Sequence, residues 1–149
     1  MRIEDAIKQK EFKDPYNKAV VNLLFTQSYI VNSQSSLFKK YGLSPEQYNV
    51  LRILRGQKGN AITVSSIQER MLNRMSNASR LVEKLKLKAM VIRRECESDR
   101  RQVDVLITEK GLDVLAEIEK QTDGHNRALI QLSEQEVNQL NDLLDKLRG

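Results

Sequence analysis

Residues 73–90 read NRMSNASRLVEKLKLKAM. Ala78, Leu81, Val82, Leu85 and Ala89 recur at i, i+3, i+4, i+7 and i+11, which is one side of a 3.6-residue period. Ser76, Asn77, Arg80 and Lys84 follow the same period on another side, with Glu83 beside them. The stretch therefore predicts one helix with an apolar stripe and a face of hydroxyl, amide and cationic groups. Such a face suits a DNA major groove, whose base edges offer acceptors and donors. It equally suits the solvated side of an ordinary amphipathic helix. The neighbouring segments decide between the two.

Upstream, residues 1–17 are polar and predict a frayed or short helical start, with Pro15 as punctuation. Residues 18–41 carry Val20, Leu23, Leu24, Ile30, Val31, Leu37, Phe38 and Tyr41 at helical spacing, and Gly42 ends that helix. A helix of this length in a small chain projects past its local core, and a second subunit is the economical cover. Ser44, Pro45 and Gln47 then form a helix start, with a capping Ser, Pro at the first position and an S-x-x-Q capping box. That helix runs to about Arg55, followed by an exit loop with Gly56, Gly59 and Asn60. Thr63 caps a short helix from Val64 to about Met71, and Leu72 and Asn73 turn the chain into the 73–90 stretch. Two short helices joined by a brief turn are the outline of a helix-turn-helix.

Downstream, the period changes from 3.6 to 2. Residues 91–95 and 102–107 read as two strands, and residues 96–101, CESDRR, form a polar hairpin tip. A helix-turn-helix followed by a hairpin predicts a winged helix, whose wing arginines stand where they could reach a minor groove. Arg93 and Arg94 alternate to opposite sides of their strand. Thr108 caps a long final arm that continues to about Leu132, where Gly124 weakens or bends the helix. Ser133 and Glu136 form a second capping box, and Val137, Leu140, Leu144 and Leu147 make the last apolar stripe. The fold class expected is mainly α with a small β-hairpin wing (α+β).

The 149 residues fit one domain, and 40% hydrophobic content with 30% charged residues fits a soluble globular chain. The net charge of +5 is unevenly spread. Residues 43–108 hold 13 Lys+Arg against 7 Asp+Glu, whereas residues 109–149 hold 5 against 9. A basic middle predicts contact with a polyanion. No apolar run approaches the ~20 residues that span a membrane, and the N-terminus has no signal-peptide core, so a cytoplasmic location is expected. The single cysteine, Cys96, leaves no intramolecular disulfide and no cysteine-based zinc site. His125 is read as a surface or dimer-face residue. With no phosphate loop, no metal-ligand spacing and no nucleophile beside a histidine, no enzyme, cofactor or metal is expected.

The run IQERMLNRMSNASRLVEKL, followed by VIRRECESDRRQVDVLITEKG, closely resembles the MarR family of bacterial transcription regulators. Its most specific parts are S-R-L-V at residues 79–82, D-R-R at 99–101 and I-T-E-K-G at 107–111. The resemblance implies a recognition helix from about Arg74 to Lys88. Ser76, Asn77 and Arg80 would contact bases or phosphates, and Arg74 and Lys84 phosphates. In the wing, Asp99 would orient an arginine, Arg101 would enter the minor groove, and Arg100 stands beside them. It implies a single domain over residues 1–149, with a DNA-binding core at 43–108 and dimerisation helices in 1–42 and 109–149. The implied partners are a palindromic DNA operator, a second copy of the chain, and a small anionic or phenolic effector held between the dimer region and the winged helix. The expected function is a homodimeric repressor that the effector releases from DNA.

One position departs from the family, which usually has Gly where this chain has Ala89. A left-handed Ala costs ~1–2 kcal/mol, so the expectation is that the helix runs on slightly and the connection differs. Two other readings stand beside the regulator. One is a winged-helix module that binds another protein. The other is a redox sensor using Cys96, near Arg93, Arg94 and Arg100 but opposed by Glu95 and Glu97.

Overall fold

The computed structural model describes residues 1–149. Seven helices and three short strands follow in the order α1 (Ile3–Ala6), α2 (Pro15–Lys39), α3 (Pro45–Arg55), β1 (Ile62–Thr63), α4 (Val64–Arg70), α5 (Ala78–Leu87), β2 (Val91–Glu95), β3 (Val103–Ile107), α6 (Glu109–Leu129) and α7 (Glu134–Arg148). The chain falls into two compact units, Met1–Ile118 and Glu119–Gly149. The predicted class is the observed one: a helical protein with a small antiparallel sheet in winged-helix order.

Local chemistry accounts for the helix starts. Asp14 accepts the Asn17 N–H at 2.7 Å with Pro15 in the first turn, so α2 begins earlier than its apolar spacing suggested. Ser44 and Gln47 close the predicted capping box at 3.1 Å each way. Thr63 caps α4 and Ser133 caps α7, both as expected. The helix α6 runs unbroken through Gly124.

The core of the first unit lies where α2, α3, α4 and α5 meet the sheet and the start of α6. Phe38, Val50, Leu51, Leu54, Ile67, Val82, Leu85, Val105, Leu115 and Ile118 are almost wholly excluded from solvent. Phe38 and Tyr48 stack with ring centroids 4.2 Å apart. The sheet order is β1-β3-β2, antiparallel throughout, with Val91 opposite Ile107 and Arg93 opposite Val105. The strand β1 was not foreseen, because two residues cannot display a period. Its pairings, Ile62 with Val105 and Thr63 with Asp104, fasten the start of α4 to the wing.

Two expectations about the 73–90 stretch are corrected. It is not one helix. The helix α5 begins only at Ala78, and residues 72–77 form a turn whose backbone groups are bound by side chains. The other correction is at Ala89. The helix does not run on there but ends at Leu87, and Ala89 sits in the left-handed region at φ 58°. The Ala89 N–H donates to Lys86 O at 2.9 Å and the Met90 N–H to Leu85 O at 3.0 Å. These two bonds define a Schellman ending, which favours Gly at this position. Met90 and Leu85 are both buried, and their burial holds the ending closed despite the alanine.

Candidate nucleic-acid interface

The interface is built outward from α4. Gln68, near the end of that helix, sends its amide into the following turn. Its Nε2 donates to Ser76 O at 2.7 Å and to Arg74 O at 3.2 Å, and its Oε1 accepts the Ala78 N–H at 2.9 Å. One side chain thus satisfies two carbonyls and one of the unpaired N–H groups at the start of α5. From α3, Asn49 Oδ1 accepts the Leu72 N–H at 2.9 Å. Asn73 Oδ1 accepts the Met75 N–H at 3.0 Å. The guanidinium of Arg74 donates to Glu69 O at the end of α4.

These contacts place the predicted recognition residues unequally. Asn77 is the N-cap of α5, its Oδ1 accepting the Arg80 N–H at 3.0 Å, so it stands at the helix mouth with its amide nitrogen unused. The Ser76 hydroxyl is buried with no hydrogen-bond partner. It lies in the turn, not on the helical face it was expected to share. Arg74 is spent on the α4 carbonyl. Arg80 and Lys84 are exposed on α5, and their cationic ends have no protein partner. Glu83, the acid beside that face, forms an ion pair with Arg93 of β2. That pair neutralises the acid and ties α5 to the wing, while Arg94 faces solvent on the other side of its strand.

At the wing tip, Asp99 Oδ1 accepts the backbone N–H of Arg101 at 3.0 Å. Its carbonyl accepts the Gln102 N–H at 3.0 Å, and the Cys96 N–H closes the hairpin on Gln102 O at 3.1 Å. Asp99 therefore sets the backbone from which Arg101 projects, whereas the expectation was only that it orients an arginine. Arg100 and Arg101 are both exposed. Cys96 is half-buried, with its Sγ 3.1 Å from Ser98 Oγ.

A cavity of about 630 Å³ opens between α2, α3 and the turn before α5. Gln27, Val31, Gln34, Phe38, Tyr48, Asn49, Arg52, Ile53, Met71 and Leu72 are among its lining residues. Arg52 lies 5.9 Å from the Tyr48 ring centroid, and the buried Tyr48 hydroxyl has no protein partner. The cavity thus combines apolar walls with the exposed Arg52 cation, a make-up common in small-molecule sites.

Two carboxylates away from this surface have lowered pKa values. The Lys18 ammonium, 2.7 Å away, holds Glu4 down at about 2 and fastens α1 to α2. The hydroxyl and N–H of Ser133 lower Glu136 in its capping box. Sequence reading missed Gln68 and Asn49 altogether. A glutamine on a short helix reads as solvated, and the Asn49–Leu72 bond joins residues 23 apart with no local signature.

Known proteins match this architecture. The model for the MarR family matches residues 41–102. The transcriptional repressor MprA of Escherichia coli is 26% identical over 106 residues, covering 70% of this chain and 60% of that protein. This chain therefore spans less than two thirds of MprA. The HTH-type transcriptional regulator MhqR of Bacillus subtilis is 31% identical over 109 residues, covering 72% of this chain and 74% of the relative. A mutant of MarR from Escherichia coli complexed with operator DNA superposes with a TM-score of 0.79 at 19% identity, over 92% of this chain and 100% of that one. The organohalide-sensing regulator RdhR-CbdbA1625 in its 2,4-dichlorophenol-bound form superposes with a TM-score of 0.83 at 18% identity, over 94% and 85%. The two structures establish the fold, and the sequence matches to the family model and to MhqR establish descent: the chain belongs to the MarR family of winged-helix transcription regulators.

Proposed function

We propose that this protein is a homodimeric, sequence-specific repressor that reads double-stranded DNA through α5 and the wing. The observation that carries the reading is the pairing pattern of charge around α5. Arg80 and Lys84 are left without partners while the one acid among them, Glu83, is neutralised by Arg93. The arrangement leaves the exposed face of α5 net cationic, which suits phosphates. Arg80 and Asn77, at the first turn, are the base-reading candidates, and Lys84 is a phosphate contact. Arg101 is the minor-groove candidate, with Arg100 on the adjacent backbone. Arg74, bound to Glu69 O, contributes to placing the turn more than to touching DNA, and the buried Ser76 hydroxyl is withdrawn from the surface.

The dimer rests on two apolar faces, one in each unit. Val20, Leu24 and Tyr29 of α2 are more than half exposed. No residue of α7 is buried, and Leu143 and Leu147 are each 65% exposed. A second copy covering them would bring two copies of α5 to one DNA turn, ~34 Å apart, for a palindromic operator. The cavity beside Arg52 and Tyr48 is the proposed effector site. Its apolar walls and the Arg52 cation suit a small anionic or phenolic aromatic compound.

Selection of bound fragments from genomic DNA by the purified protein tests this reading. It should return palindromes with half-sites one turn apart. Recovery of fragments with no common sequence would contradict it.

A further inference from the structure

The turn before α5 is clamped from two sides by groups that belong to neither the DNA-facing surface nor the apolar core. Gln68 holds its far end by three hydrogen bonds, to Arg74 O, Ser76 O and the Ala78 N–H. Asn49 holds its near end through the Leu72 N–H. Asn49 and Leu72 are both cavity-lining residues, so the near clamp stands in the wall of the proposed effector site. Apolar burial anchors only the two ends of the turn, at Met71 and Ala78, because Leu72 and Met75 within it are 89% and 91% exposed. Between those ends the path of the turn is set by Asn49 and Gln68, and that path sets where Asn77 and Arg80 begin.

We propose that Asn49 and Gln68 are positioning residues for the DNA-reading end of α5, and that the Asn49–Leu72 bond is the tie through which an occupant of the cavity acts. A donor on the occupant, such as a phenolic O–H, competes for Asn49 Oδ1, the Leu72 N–H loses its acceptor, and the turn shifts relative to α5. The inference rests on the DNA-reading assignment above. On this account Asn49→Ala reproduces the occupied state without any ligand.

The test compares wild-type protein with Asn49→Ala, Gln68→Met and Arg80→Ala. Each is measured for affinity to the selected operator and to a scrambled duplex, and for NMR-detected amide exchange over residues 72–78. Loss of hydrogen bonds of this kind corresponds to a fall of about tenfold in the operator-to-scrambled ratio. Affinity for the scrambled duplex and its salt slope should stay unchanged, because no cation is removed. Exchange should quicken at Leu72 in Asn49→Ala and at Ala78 in Gln68→Met. Asn49→Asp, which retains an acceptor, should keep Leu72 protected.

A ratio within threefold of wild type in both variants overturns the proposal, whatever the exchange does. So does a lowered ratio with unchanged exchange. If Gln68→Met fails to fold, Asn49→Ala decides alone. A wild-type protein without operator preference ends this proposal together with the DNA-reading assignment. Failure of this proposal alone leaves Arg80→Ala defective while Asn49→Ala is not.

Discussion

Replacing Ala89 by Gly should stabilise the protein, although the residue touches neither the proposed DNA surface nor the cavity. Its backbone is left-handed, and the next residue's N–H closes the six-residue ring onto Leu85 O. An L-residue with a Cβ pays ~1–2 kcal/mol for that conformation. Glycine removes the cost but adds about 0.4–1 kcal/mol of chain entropy to the unfolded state. The net gain is then about 0.5–1 kcal/mol, or roughly 1–4 °C in Tm for a chain of this size. The chain contains its own control at the end of α2. There the Leu43 N–H donates to Phe38 O at 3.2 Å, the Gly42 N–H to Lys39 O at 3.0 Å, and Gly42 has φ +68°. A Cβ on Gly42 would meet only Lys88 Nζ, at 4.0 Å. Gly42→Ala should therefore lose about what Ala89→Gly gains, since the two endings are the same motif. The assay is urea unfolding followed by circular dichroism at one protein concentration, because association shifts apparent stability. A midpoint rise with an unchanged m-value supports the reasoning. An unchanged or lowered midpoint for Ala89→Gly, with Gly42→Ala destabilised, would refute it.

Three other outcomes follow from different parts of the molecule. A Cβ on Gly111 would lie 2.5 Å from Met90 O and 2.7 Å from Ile107 Cγ1, so Gly111→Ala should cost about 1–3 kcal/mol and lower Tm by several degrees in a thermal melt; a melt within a degree of wild type would show that α6 can back away. The double substitution Leu143→Glu and Leu147→Glu should give a monomer by size exclusion with light scattering at micromolar concentration, since two exposed leucines on α7 would lose a burial of about 1.5–3 kcal/mol each; an unchanged dimer would place the interface elsewhere. Because Glu4 has its pKa lowered to about 2, its ion pair with Lys18 contributes in full above the ordinary carboxylate value of 4.5 and is lost as pH falls through about 2. The attachment of α1 should therefore loosen between those values, read as faster amide exchange at residues 3–7, and a Glu4→Gln protein should exchange fast without that pH step.

Where a motif is local, the sequence displays it. The Ser44–Gln47 and Ser133–Glu136 boxes, the Thr63 cap and the change of period at Val91 depend on residues within a few positions of one another, and each stands in the structure where its spacing put it. The winged-helix order follows from them. The readings that failed depend on partners far along the chain. Periodicity ran the 73–90 stretch together as one helix, because Ser76 and Asn77 happen to fall in phase with Arg80. What halts the helix at Ala78 is the amide of Gln68 and the cap of Asn77. Intrinsic cost alone argues against a left-handed Ala89. Burial of Leu85 and Met90, together with the Thr108 hydroxyl donating to Ala89 O at 2.7 Å, outweighs that cost. The strand β1 exists only because β3 offers it an edge. At the candidate site, the exposed cations were legible by type and phase, but not which of them the fold would consume. Arg74 and Arg93 are spent inside the protein, and Arg80, Lys84, Arg100 and Arg101 are not.

The central claim is that α5 reads DNA sequence through Arg80. Its most direct measurement is the affinity of wild-type and Arg80→Ala proteins for the selected palindrome and for a scrambled duplex, each titrated across a range of salt. Wild-type binding should weaken steeply with salt, and Arg80→Ala should lose about 5- to 150-fold on the palindrome, the range expected for a lost base contact of about 1–3 kcal/mol. Binding to the scrambled duplex should change far less. Equal losses on both duplexes would make Arg80 a phosphate contact only, and no loss on either would contradict the claim.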